Sequence, residues 1–304
     1  VLLRLAIAAR LLGRDAEADT FARGLAGDER RSDQYLEAAV RSLLSRSRPR
    51  EALVLIDQWG ARGAARPAVL VLRACGEMML GQAAAVEATL DRIADAAALG
   101  TQDRVAAATL FMMLEQWPRF EPLVEGLTEV PAELEPMRDL LGAILLWRNG
   151  RLVESLAALD FLAEHLRPAG AAPPSSVGVV QRPRRYDIDV WRGATLASAG
   201  EWDAARTLLL RAAELEPTRP EAYTELGRIE VQTGRADRAR SYLQNALTQA
   251  PGLPAPWEAL AVLSINEGNA TRAAEEASKA ITAQPGRRSA LLLRAIANAK
   301  LGDE

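Results

Sequence analysis

The sequence is poor in the residues that most chemistry needs. One cysteine, Cys75, and one histidine, His165, occur in 304 residues. A lone cysteine excludes an intrachain disulfide. One His and one Cys cannot build a metal cluster unless carboxylates supply the remaining ligands. Glycine-rich phosphate loops of the forms GxGxxG and GxxxxGK followed by Ser or Thr are missing. No apolar run approaches the roughly 18–20 residues that span a bilayer. The net charge of −3 carries no basic excess, so nucleic acid is not an expected partner. Aromatic residues make up only 5% of the chain, too few for a core built on large rings.

What the chain does have is alanine and leucine. Hydrophobic residues make up 49% and charged residues 25%, and the apolar weight lies in the two strongest apolar helix formers. Small side chains also let helices approach closely, so the composition points to packed helices. Among the 37 basic residues only Lys279 and Lys300 are lysine, a bias that fits a GC-rich bacterial genome.

A fixed period runs through the C-terminal part. Tyr223 aligns with Trp257, Leu226 with Leu260, Gly227 with Ala261, Gly234 with Gly268, Ala239 with Ala273, Ala246 with Ala280 and Pro251 with Pro285, each pair 34 apart. One step back lie Gly193, Gly200, Ala205, Leu209, Ala212 and Pro217; one step forward lie Ala295 and Gly302. Each letter has a physical reason. The small residues lie where two helices cross. The glycines at 200, 234, 268 and 302 can take positive φ and end a first helix. The prolines lack the amide donor and stop the second helix.

At these positions the chain resembles the tetratricopeptide repeat family. The resemblance implies an all-α fold: a solenoid of stacked antiparallel helix pairs, about eight repeats plus a partial terminal one. In the N-terminal half the turn position falls at Gly13, Ser47, Gly81, near Gln116, and at Gly150, with weaker letters elsewhere. The small residue of the first helix is Ala6, Ala74 and Ala143, with Val40 and Thr109 as poorer fits. Ala18, Ala52 and Ser155 hold the next small position, and the third is lost to Leu25, Trp59, Ile93, Leu127 and Leu162. Helix pairs are expected to persist there with less regular packing.

Between Gly150 and Gly200 the interval is one period plus a surplus, which lies in the Pro/Gly/Ser-rich stretch 168–185. Three regions are therefore expected: degenerate repeats over 1–167, the insert over 168–185, and regular repeats over 186–304. The insert reads as a flexible linker; the alternative is an extended strand docked through Val177, Val179 and Val180.

The resemblance also implies where a partner would lie. In the family the first helix of each pair lines a concave groove through repeat positions 2, 5, 9, 12 and 13. Carried onto this chain, those positions give an apolar central lining of Val71, Met78, Met79, Leu110, Met113, Leu140, Ile144 and Trp147. Methionine is flexible and polarizable and suits surfaces that accept varied apolar ligands. The expected partner is another protein or peptide, with an apolar or amphipathic helix as one form. The competing expectation is that tight winding turns these side chains into core. Toward the C-terminus the lining reads polar: Asp187, Ser198, Glu221, Thr224, Arg228, Gln232, Glu258 and Asn266. No repeat carries the Lys and Asn pair with which one subclass of the family grips a C-terminal carboxylate.

His165 reads as a helix-end residue and Cys75 as a small buried hydrophobe. Catalysis is not expected of this chain, and no cofactor is implied. The expected role is a protein-binding scaffold, with a bacterial envelope or exopolysaccharide-export assembly as its setting. The alternative is the recruiting arm of a larger enzyme such as a glycosyltransferase, sulfotransferase or kinase. Val1 falls inside an amphipathic pattern and Glu304 just past a turn glycine, so a signal, anchor or further domain is expected outside the sequence. Cytoplasm and periplasm both fit.

Overall fold

Residues 29–58, 66–93, 98–166 and 183–302, with isolated positions between 9 and 20, are described by a computed structural model. The insert falls almost wholly outside them, as do Ala6, Leu25 and Trp59, so neither reading of the insert concerns the described residues. Among these residues every regular element is an α-helix. In chain order they are α1 (Glu29–Ser45), α2 (Pro49–Gln58), α3 (Pro67–Met79), α4 (Ala83–Leu90), α5 (Thr101–Met113), α6 (Trp117–Glu125), α7 (Glu135–Arg148) and α8 (Leu152–His165). After the insert come α9 (Arg185–Ser198), α10 (Trp202–Leu215), α11 (Pro220–Gln232), α12 (Ala236–Gln249), α13 (Pro254–Asn266), α14 (Ala270–Ala283) and α15 (Arg288–Leu301). Consecutive helices pack as pairs, and first helices of neighbouring repeats also touch, as α3 does α5 and α11 does α13.

The turn positions carry the period into three dimensions. Gly81, Gly150, Gly200, Gly234, Gly268 and Gly302 all have φ between 71° and 84°, in the left-handed region that a side chain strains. Ser47 and Glu115 take the same conformation at φ 56° and 54° without being glycine. The turn expected near Gln116 is thus made by Glu115, one residue earlier. The repeat boundaries are then 34 residues apart from Gly13 to Glu115; a step of 35 falls between Glu115 and Gly150, and the longer step to Gly200 contains the insert.

That shift repairs another anomaly. With the turn at 115, the crossing position of α5 is Ala108, fully buried, rather than the poorly fitting Thr109. In the regular repeats the crossing is tighter still. A Cβ on Gly193 would lie 2.6 Å from Cγ of Leu209 on α10, and one on Gly227 would lie 2.5 Å from Leu243 on α12. Ala205, Ala212, Ala239, Ala246, Ala273 and Ala280 are all fully buried at the matching points of the second helices. Each of these helices stops two residues before its proline: α10 at Leu215, α12 at Gln249 and α14 at Ala283.

The second helices of the N-terminal half are shorter. α4 has 8 residues and α6 has 9, against 14 in α8, α10, α12 and α14. α6 also carries Pro122 in its interior, which removes a helical hydrogen bond. Polar bonds also hold some pairs together. Ser155 Oγ donates to the Ala143 carbonyl at 2.8 Å, tying α8 to the crossing point of α7. Thr89 Oγ1 donates to Glu77 at 2.8 Å between α4 and α3, and Ser264 Oγ donates to Glu276 at 2.6 Å between α13 and α14. These two bonds occupy the same pair of repeat positions with hydroxyl and carboxylate exchanged.

The helices form two compact units, one within residues 1–138 and one within 139–169 and 183–304. The pair α7–α8 therefore goes, from Asp139 onward, with the regular repeats that follow the insert, and α8 packs on α9.

Candidate functional site

The eight residues that the repeat register puts on the groove line fall into two classes. Val71 and Leu110 in the N-terminal unit, and Leu140 and Ile144 in the C-terminal unit, are buried among their neighbours. They pack as core in this structure. Met78 and Trp147 are half-buried, while Met79 and Met113 are exposed, at 42% and 53%. Leu110 is explained by the register: with Glu115 as the turn, it sits one place past the groove position and turns into the packing between helices.

The same correction moves one further methionine, Met112, onto the groove line. Met112 and Met113 now occupy the last two groove positions of α5, and Met78 and Met79 occupy those of α3, 34 residues earlier. α3 and α5 pack against each other. Their C-terminal ends so present two equivalent methionine pairs, Met78 and Met112 half-buried, Met79 and Met113 open to water. The signal was present in the sequence as two identical dipeptides one period apart.

Within the C-terminal unit, Trp147 on α7 meets Trp191 on α9 edge to face, with centroids 5.4 Å apart. Its indole Nε1 donates to Ser198 Oγ at 2.9 Å. Both rings keep part of their surface exposed. Such an amphipathic aromatic pair, fixed by one hydrogen bond, presents apolar area at little conformational cost.

The polar lining expected toward the C-terminus is largely neutralised within the protein. Arg219, just before α11, reaches back to Asp187 at 2.7 Å and also pairs with Glu221 at 3.1 Å. Arg287, just before α15, reaches back to Glu258 at 2.7 Å. Arg66, just before α3, does the same to Asp33 at 3.3 Å and Glu37 at 3.6 Å. One arginine at the junction thus clamps successive first helices in three places. Thr224 is buried and donates to the carbonyl of Pro220 in its own helix. Arg228 pairs with Glu225 at 3.2 Å. On α13 and α15 several groove positions are apolar instead: Val262 and Ile265 half-buried, Leu292 and Ile296 exposed.

The two residues with reactive potential are turned to structural use. Cys75 is buried, and burial pushes its thiol up to about 12. His165 stacks on Phe161 at 4.0 Å, and its Nδ1 lies 2.7 Å from the Phe161 carbonyl of the same helix. Among the described residues no group of three His, Cys, Asp or Glu side chains is placed to hold a metal ion. No described helix is long and apolar enough to cross a membrane.

Antiparallel helix pairs at a 34-residue beat, with left-handed turns and small residues at the crossings, define a helical repeat solenoid. Residues 196–263 match the family model described as tetratricopeptide repeat, and the described residues as a whole carry a multi-repeat helical fold of that kind. No curated protein matches the sequence. Among solved structures the chain is similar to TTC0263, a thermophilic TPR protein in Thermus thermophilus, with 19% identity and a TM-score of 0.50 over 66% of this chain and 99% of that one. It is also similar to YrrB, a TPR protein with an unusual peptide-binding site, with 18% identity and a TM-score of 0.38 over 64% and 92% of the two chains. A third is PilW, a type IV pilus biogenesis factor, with 17% identity and a TM-score of 0.43 over 75% and 97%.

Proposed function

We propose that this chain is a non-catalytic scaffold that holds a partner protein or peptide on the first-helix face of its repeats. The observation that carries the reading is the repeated methionine pair. Met79 and Met113 stand exposed on adjoining helices at equivalent places, where water contact is unfavourable unless something covers them. Flexible thioethers fit the apolar side of an amphipathic helix or an extended apolar segment without demanding one shape. In the C-terminal unit, Trp147 with Trp191 supplies a second anchor of the aromatic kind that dominates binding energy. The buried residues on the line hold the helices in register and so act as supports.

The setting we propose is a bacterial envelope or exopolysaccharide-export assembly, where similar Ala-, Arg- and Leu-rich repeat arrays occur; this part is fold-level analogy. The test is affinity capture with the 304-residue chain as bait, followed by mass spectrometry and by calorimetry with the partner so found. A partner that binds with a large negative heat-capacity change supports apolar docking. Failure to retain any protein from the source cell extract, with the bait folded, contradicts the scaffold reading.

A further inference from the structure

In a solenoid each repeat ordinarily touches only its neighbours. The N-terminal unit departs from this at one point. Arg41 on α1 reaches Asp103 on α5, 62 residues on and two repeats away, with Nη2 to Oδ1 at 2.5 Å. The pair is well covered, with side-chain exposures of 14% and 8%. Arg41 also holds Glu37 of its own helix at 3.0 Å, and Glu37 is in turn held by Arg66. α3 packs against both α1 and α5. Its Cys75 lies within electrostatic reach of both Arg41 and Asp103 and is 5% exposed. Val71 on α3 and Val105 on α5, the neighbouring groove positions, are fully buried. The inner face of these three helices is closed.

The means of closure matters. Had the three helices shut by apolar packing alone, burial would hold them. A buried ion pair is different: desolvation consumes most of its Coulomb attraction, so the closed state gains little from the pair itself, yet losing one partner strands the other. Burial indeed acts against the charge on Asp103, while Arg41 and Arg66 favour it and Glu37 opposes it.

We infer that the Arg41–Asp103 pair is a latch that holds α1 and α5 together across α3, and that its release opens the inner face of the N-terminal unit at Val71, Cys75 and Val105 without unfolding the helices. The part of the groove line at Val71, Cys75 and Val105 is thus present in this unit but shut, beside the open methionine ends of α3 and α5. This inference does not depend on the methionine or tryptophan surfaces being a docking site, and its test involves no partner.

Cys75 is the only cysteine in the chain, so its thiol reports opening without engineering. Modification of the folded protein by a thiol reagent such as dithiobis-nitrobenzoate is followed at fixed pH. Arg41→Gln should accelerate labelling by at least about tenfold, as expected when a sub-global opening becomes easier, with helical circular dichroism unchanged. The apolar double variant Arg41→Met with Asp103→Leu should restore slow labelling, because burial then closes the face. Unchanged labelling in Arg41→Gln overturns the latch. If Arg41→Gln fails to fold, the urea dependence of labelling in the unaltered protein decides. A labelling rate insensitive to low urea reports a small local opening and supports the latch; a rate with the full slope of global unfolding contradicts it.

Discussion

Leu243 fills the space that a side chain at Gly227 would need: a Cβ there would stand 2.5 Å from both Cγ and Cδ2 of the leucine. The crossing of α11 and α12 is therefore set by the absence of one carbon. Alanine is the better helix former by about 1 kcal/mol, yet overpacking costs about 1–3 kcal/mol, so the second effect wins. Gly227→Ala should lower the urea midpoint of the C-terminal unit. Gly142 in α7 is the control, since nothing lies within 4 Å of its would-be Cβ. Gly142→Ala should stabilise by about 0.5–1 kcal/mol. Equal effects of the two substitutions would show that the crossing is not steric.

Glu115 closes its turn at φ 54°, where a β-carbon is strained by about 1–2 kcal/mol. Glycine removes that strain but enlarges the freedom of the unfolded chain, which offsets part of the gain. Glu115→Gly is expected to stabilise the N-terminal unit by a net amount of about 0.5–1 kcal/mol, read from denaturant unfolding. A loss of stability would mean that the Glu115 side chain contributes more than its backbone costs.

Burial raises the Glu77 carboxyl above its usual range, and the bond from Thr89 and the charge of Arg73 only partly oppose this. A raised carboxyl binds its proton more tightly in the folded state, so it favours folding at low pH and loses that contribution as pH rises through its folded value. Glu77→Gln keeps an acceptor for Thr89 and removes the charge. The variant should gain stability relative to the parent at neutral pH, and the gain should shrink on acidification. Unfolding curves at several pH values check this; a difference that grows on acidification would contradict it.

Much of the fold was legible because its determinants are small, local and periodic. Gly200, Gly234 and Gly268 with Pro217, Pro251 and Pro285 set both ends of each helix, and each pair packs as that spacing requires. The error of one residue near Gln116 arose because Glu115 bends as a glycine would, and no residue type announces that. That slip displaced Leu110 onto the groove line, made Thr109 look like a poor crossing residue, and kept Met112 off the groove line beside Met113. Between groove and core, the two readings of Val71, Leu140 and Ile144, the sequence could not choose, for another reason. A groove position is open or closed according to how tightly successive first helices wind, and the winding of the N-terminal helices involves contacts such as Arg41 with Asp103, two repeats apart. Repeat register can assign a face but not its curvature.

The most direct test of the scaffold account places a charge on each of the two proposed docking surfaces. Met113→Glu and Trp147→Glu are measured separately by calorimetry against the captured partner, with circular dichroism confirming unchanged helicity. The account predicts that each substitution abolishes binding, since a buried unpaired carboxylate is far costlier than the thioether or indole it replaces. Binding at full strength in both variants would contradict it.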